Sequence, residues 1–344
     1  MIFICGGISV LYIFLAIRPL ARELHFKPEW TVNIVKTDVI PGGTELIPFK
    51  LGQSMGYFSE DGRFSSIVNF PVKATITDEY YSSFGFDNGT IEIRRKDGSL
   101  QASVDAAGFP FFEKDRFFVM LPGGSSVMEV DGDGKEKWRF EGYIPITAFS
   151  SSARGRIIGF ADGTVYTFTE DGAADTSYSP GGSKYPVILG AAISPDGQYT
   201  ATVSGQEKQR FVLNRKSGSS YKTVFHEYFD EDQTHQVLVR FSSDGKYVFY
   251  NYKGGLGVYA VSAGTAGHVA IPGYVVDIQE SGIGGMLYVL SKQGRTFTVT
   301  MIEYPSNNAG SFSFEADSAS ISAHGDSLFV GRDSQISRIK ITRS

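Results

Sequence analysis

The sequence predicts an all-β fold: a seven-bladed β-propeller closed by an N-terminal strand and preceded by one transmembrane helix. Three observations carry this expectation. A polar turn between two short strands recurs seven times along the chain. Apolar and polar residues alternate at period two between the recurrences. Residues 2–17 form an uncharged, apolar run. Composition agrees, since 14 % aromatics, 40 glycines and only 20 % charged residues in 344 suit a turn-rich β protein and not a helical bundle or a disordered chain.

The first element is the run IFICGGISVLYIFLAI (2–17). Continued to about Ala21, with Arg18 snorkelling, it spans roughly 30 Å as a helix, the thickness of a bilayer core. Residues 1–21 therefore read as an anchor contacting the membrane through 2–21. The competing reading is a signal peptide cleaved near Pro19-Leu20-Ala21. Lipidation of Cys5 is disfavoured because Ile4 stands where a small residue is needed. Arg18, Arg22 and Lys27 follow the span and favour a cytoplasmic domain by the positive-inside rule, a bias that Glu23 and Glu29 dilute. Residues 22–43 read as a linker and 44–344 as the propeller.

The repeat is visible on self-comparison. FSEDGRF (58–64), FFEKDRF (111–117), FSSSARGRI (149–157), ISPDGQY (193–199), FSSDGKY (241–247), IQESGIGGM (278–286) and ISAHGDS (321–327) align as one element. Anchored on Gly62, Asp115, Gly155, Gly197, Gly245, Gly282 and Gly325, they are spaced by 53, 40, 42, 48, 37 and 43 residues. Asp-Gly occurs eight times, supplying the φ > 0 positions that tight hairpins need. Seven units of about 42 residues, each with room for four strands, predict a propeller. The fifth unit is clearest, with strands at 237–242, 247–251, 256–261 and 267–272. The seventh has only three, near 318–322, 327–331 and 335–341, so TELIPF (44–49) is expected to complete it and remove the open edge.

ISPDGQYTATVS (193–204), and FSSDGKYVFYN (241–251) followed by LGVYAV (256–261), resemble WD40-like bacterial propeller repeats. VDGDGKEKWRF (130–140) is similar to the PQQ-like repeat, matching its Asp, Gly-Lys turn and Trp with Asp131, Gly134, Lys135 and Trp138. The resemblance implies a fold over about 290 residues and hardly any function. Bacterial propellers of this kind on single anchors hold the domain outside the cytoplasm, so a periplasmic propeller is expected, with the cytoplasmic side as the alternative.

A propeller's chemistry is expected where inner strands line the channel. Residues closing those strands are Phe58, Phe111, Phe149, Ile193, Phe241, Ile278 and Ile321, and those just before them are Tyr57, Pro110, Ala148, Ala192, Arg240, Asp277 and Ser320. Neither set contains a histidine or a carboxylate pair. Arg240 and Asp277 occupy equivalent positions on adjacent units and read as a structural ion pair. His226, Asp230, Asp232 and His235 are weak metal candidates in HEYFDEDQTH (226–235), a spacing that matches no ligand motif and suits a solvated acidic loop. No nucleophile elbow or phosphate loop is present. No cofactor is implied, and the single cysteine excludes a Cys zinc site.

Two surplus segments suggest an interface. Residues 71–88, with Tyr80, Tyr81, Phe84 and Phe86, read as an insertion between second and third strands, and 227–236, with Asp230, Glu231 and Asp232, as a long link between blades. Both would open on one face and offer aromatics beside acids to a protein partner; Tyr80–Phe86 folded back as a strand is the alternative. Net charge is −5 and no basic block occurs, so nucleic acid is not an expected partner. The expected function is a non-enzymatic scaffold for other envelope or membrane proteins. The alternatives are an extracytoplasmic small-ligand or metal-binding sensor and a propeller enzyme of lactonase or quinoprotein type.

Overall fold

A computed structural model describes residues 24–35, 44–85, 89–113 and 116–343. The expected anchor, Phe86 and Asp115 lie outside the described residues. The 31 strands form eight antiparallel sheets, and no helix occurs among the described residues. The molecule is an eight-bladed propeller, which corrects the expectation of seven. Blade 1 spans 46–69, blade 2 73–104, blade 3 109–140, blade 4 146–178, blade 5 185–228, blade 6 239–270 and blade 7 274–315; blade 8 comprises 319–343 with Leu24–Asn33.

Closure also differs from expectation. Leu24–Asn33, within the expected linker, pairs antiparallel with Gln335–Arg343 from Leu24↔Arg343 to Asn33↔Gln335 and is the outermost strand of blade 8. Residues 44–49 do not complete that blade, because Leu46–Leu51 pairs with Ser54–Ser59 in blade 1. The expected insertion at 71–88 contains the two inner strands of blade 2, Lys73–Ile76 and Tyr80–Phe84. This blade escapes the repeat alignment because its short first turn, 77–79, lies inside the 53-residue first spacing and reads there as part of a surplus segment. The Thr77 hydroxyl caps that turn, accepting the amides of Tyr80 and Glu79 at 3.0 and 3.4 Å.

In blades 2–8 the links between blades and the turns between second and third strands open on one rim, the link rim. The other hairpin turns open on the opposite turn rim. Blade 1 has three strands among the described residues, and its inner strand runs the other way. Ile34 N donates to Ser334 O on the link rim, whereas Glu45 faces His324 at 3.5 Å on the turn rim and Gly52 returns to Ser318 on the link rim.

Seven of the eight Asp-Gly dipeptides lie on the turn rim. At Ser194–Gln198 and Ser242–Lys246 the same device recurs. The Asp carboxylate accepts the serine hydroxyl and the amide two residues on, while Gly197 and Gly245 take φ of 71° and 72°. Bonds from Lys246 and Ser242 hold the Asp244 carboxyl down at about 2. The core lies between blades. Leu189, Ala201 and Phe211 of blade 5 pack on Val239, Val248 and Tyr250 of blade 6, with Phe211 stacked on Tyr250 at 3.8 Å. Each such face is a sheet surface removed from water, the main favourable term in holding the ring.

Candidate functional site

The inner strands present a polar channel with two cavities. One of about 410 Å³ is lined by Glu113, Ser150, Ser151, Gln236 and Arg240 among others. The second, about 680 Å³, includes Lys50, Asp78, Asp277, Gln279 and Ser320 in its lining. Arg240 Nη1 stands 3.2 Å from Asp277 Oδ1 and donates to Ile278 O at 2.6 Å, while Asp277 also accepts Ile278 N and Gln279 Nε2. The pair therefore bridges blades 6 and 7 and is satisfied on both sides. Lys50 Nζ donates to Ala74 O at 2.5 Å, and burial, with Lys73 nearby, lowers its pKa. Lys50, Arg240 and Asp277 tether strands, and in the first cavity Ser150 Oγ donates to Glu113 Oε1 at 3.4 Å. Tyr57 and Phe58 are not on an inner strand as expected; they lie on the second strand of blade 1.

The acidic segment is pinned to the protein. Asp232 accepts the amides of Glu207 and Gln209, Glu231 pairs with Lys253 at 2.5 Å, and the Gln209 side chain donates to Gln233 O at 2.9 Å. His226 lies on the outer strand of blade 5 with its ring 5.9 Å from Tyr228, and His235 is exposed on the link. The structure does not bring these residues together as ligands, and no group of three or more His, Cys, Asp or Glu side chains suited to a metal occurs among the described residues. Beside them, Glu227 accepts Tyr250 OH at 2.5 Å and faces His268 at 3.3 Å, tying blade 5 to blade 6.

Tyr80, Tyr81 and Phe84 are corrected from loop to strand. Tyr81 is buried against Tyr57, Tyr80 stacks on Phe112, and Phe84 packs on Phe109 at 4.7 Å. They join blade 2 to its neighbours because the second strand of a blade faces packed sheets on both sides.

A buried charge cluster lies between blades 3 and 4. Glu129, 3 % exposed, accepts Arg116 Nε at 2.9 Å and Arg156 Nε at 2.8 Å. Arg156 is fully buried, donates to Thr169 O, and lies 4.6 Å over the Trp138 ring. Trp138 Nε1 reaches Gly172 O at 2.8 Å. The repeat tryptophan is thus an inter-blade peg. The sequence signal was the single charge inside two apolar strands, VMEV (127–130) and GRIIGF (155–160).

The exposed apolar surface is unevenly placed. Among the described residues, eleven large apolar side chains are exposed, and nine of them lie on or beside the link rim: Val35, Phe109, Tyr143, Ile144, Tyr166, Tyr185, Tyr228, Tyr274 and Val276. The densest group crosses blades 3–5. Tyr143, 103 % exposed, and Ile144 stand on the link before blade 4. Tyr166 rests on Phe160 and Phe140 at 5.3 and 6.0 Å. Pro145 O accepts Ala161 N, and Gly163 is pressed against Pro186, where an added Cβ would come within 2.3 Å of its carbonyl. These contacts carry the surface on to Tyr185, and Arg210, bonded to Pro180 O and 5.6 Å under the Tyr228 ring, extends it.

The pattern of a family described as "beta-propeller protein" matches residues 1–344. An uncharacterized protein of Treponema pallidum (strain Nichols) is 30 % identical over 325 residues, covering 94 % of this chain and 85 % of that protein. Among solved structures, BamB from Moraxella catarrhalis aligns with a TM-score of 0.58 at 12 % identity, over 92 % of this chain and 100 % of its own. The Cps50 (Swd1) propeller domain from Myceliophteria thermophila aligns at 0.51 and 10 % identity, over 77 % of this chain and 93 % of its own. At such identities the structural likeness bears on fold alone.

Proposed function

The chain belongs to the beta-propeller protein family, and from that premise we propose that it is a membrane-anchored, non-enzymatic scaffold docking other proteins of a cell-envelope complex. The observation that carries this reading is the gathering, among the described residues, of nine of eleven exposed large apolar side chains on or beside one rim. Apolar groups left in water at one face of an otherwise well-packed ring suit a contact surface. In the channel, by contrast, Lys50, Arg240 and Asp277 are engaged in tethering strands to one another.

Residues 2–21 supply the membrane attachment in this reading; no helix among the described residues is long and apolar enough to cross a bilayer. Two measurements test it. A reporter fused after Ser344 should report outside the cytoplasm, with the chain retained in alkaline-washed membranes. Mild detergent extraction should release it as a discrete assembly well above its own 37.6 kDa. A cytoplasmic reporter signal contradicts the placement. Release as a free monomer contradicts the scaffold.

A further inference from the structure

We propose that the link rim of blades 3–5, centred on Tyr143, Ile144, Tyr166 and Tyr185, binds a protein partner through an apolar, uncharged surface. The proposal rests on the scaffold reading and adds the site and the chemistry of its partner.

Charge argues for the partner's character. Glu141, Asp162, Glu207 and Asp232 border the patch against Arg139, Lys184, Lys208 and Arg210, four charges of each sign. Most are already satisfied: Lys184 pairs with Glu207 at 3.0 Å, Glu141 with Arg139 at 3.3 Å, and Asp162 accepts Thr164 N. A balanced, internally paired border offers no net field to an ionic partner, so selectivity falls on the tyrosines and Ile144. It equally gives no basic surface for anionic lipid or nucleic acid.

Chain direction argues against the bilayer as occupant. Leu24 begins the closing strand on the turn rim, opposite the end where Asn33 pairs with Gln335. With residues 2–21 anchored, the chain enters from the membrane side at the turn rim, and the link rim faces water. The base of the patch is also pre-organised. The Phe140–Phe160–Tyr166 ring cluster and the Pro145–Ala161 bond fix it, so Tyr166 has little side-chain freedom left to lose on binding.

The test places the photo-crosslinker p-benzoyl-phenylalanine at Tyr143 or Tyr185 of the full chain in its native membranes. Leu100, exposed on the turn rim, and Val224, exposed on an outer strand, serve as control positions. Adducts are identified by mass spectrometry, and the captured protein is purified and titrated against wild type and the Tyr143→Ala/Tyr185→Ala variant. One protein, different from this chain, should be captured at 143 and 185 and not at 100 or 224. The double variant should keep its circular dichroism and lose roughly 30-fold or more in affinity. Raising salt from about 50 to about 500 mM should change wild-type affinity less than about threefold.

Adducts to lipid, adducts to a second copy of this chain, or a steep salt dependence overturn the proposal. Capture at Leu100 alone overturns it while leaving the scaffold reading in place. Absence of any protein adduct at all four positions overturns both.

Discussion

Glu129 and Asp277 are both carboxylates paired with arginines across a blade boundary, yet they differ in what they hold. The Arg240–Asp277 pair was legible because both residues fall at equivalent positions of adjacent repeats. It is also 46 % and 27 % exposed, and pairs so open to water contribute little. Glu129 is sealed. Burial pushes its carboxyl up, but the hydrogen bonds and charges of Arg116 and Arg156 outweigh that and hold its pKa below the usual carboxylate range. Glu129→Ala leaves two guanidiniums facing each other in the interior and should cost about 3–5 kcal/mol in urea unfolding. Because the folded pKa lies below the unfolded value of about 4.3, the carboxylate adds stability above that pH and loses it as pH falls through the folded pKa. Glu129→Gln should therefore flatten the wild-type fall in stability below about pH 4.3. Equal urea midpoints, or unchanged acid dependence in Glu129→Gln, would show the cluster to be dispensable. Period-two reading could not reveal it, because it assigns a lone charge in an apolar strand to solvent, whereas a partner strand 27 residues away supplies Arg156.

At the scale of strands, the sequence pattern identified the repeat and most hairpins but miscounted the ring. Blade 2 was hidden inside the 53-residue first spacing, where its two inner strands read as an insertion. The closing strand was hidden because Pro28 stands inside it. Proline is tolerated there since Leu24–Asn33 is outermost in its sheet, and the register shifts between Pro28 and Trp30. Trp30 packs on Phe329 at 5.8 Å and against Gly62 of blade 1, so the strand also seals the junction between first and last blades. Thr31 lies directly opposite Ser337, with their hydroxyls 2.8 Å apart. In a Cys5→Ser background, Thr31→Cys with Ser337→Cys should form an intramolecular disulfide. Linking the ends of the ring in this way should stabilise it by up to roughly 5 kcal/mol. Free thiols after oxidation, or disulfides only between chains, would mean the ring closes through another strand.

Over the whole molecule, the two rims divide the surface chemistry. The turn rim carries seven of the eight Asp-Gly turns, while nine of the eleven large apolar side chains exposed among the described residues lie on or beside the link rim. Sequence reading favoured the link rim from two segments, of which 229–236 does lie on a link and 71–88 proved to be mostly blade. The tyrosines that matter in the proposal, Tyr143, Tyr166 and Tyr185, looked unexceptional because exposure of a residue at a strand end depends on the neighbouring blade. Eight sheets closed into one ring give a stiff platform, so binding should leave the fold unchanged and protect only what it covers. Hydrogen exchange on the full chain, alone and within the assembly extracted from its membranes, reads this directly. Slowed exchange confined to 141–145, 161–166 and 181–186 is the result expected of a docking link rim. Slowed exchange at the turn-rim segments 96–99, 131–135 and 170–173, with the link rim unchanged, would contradict it.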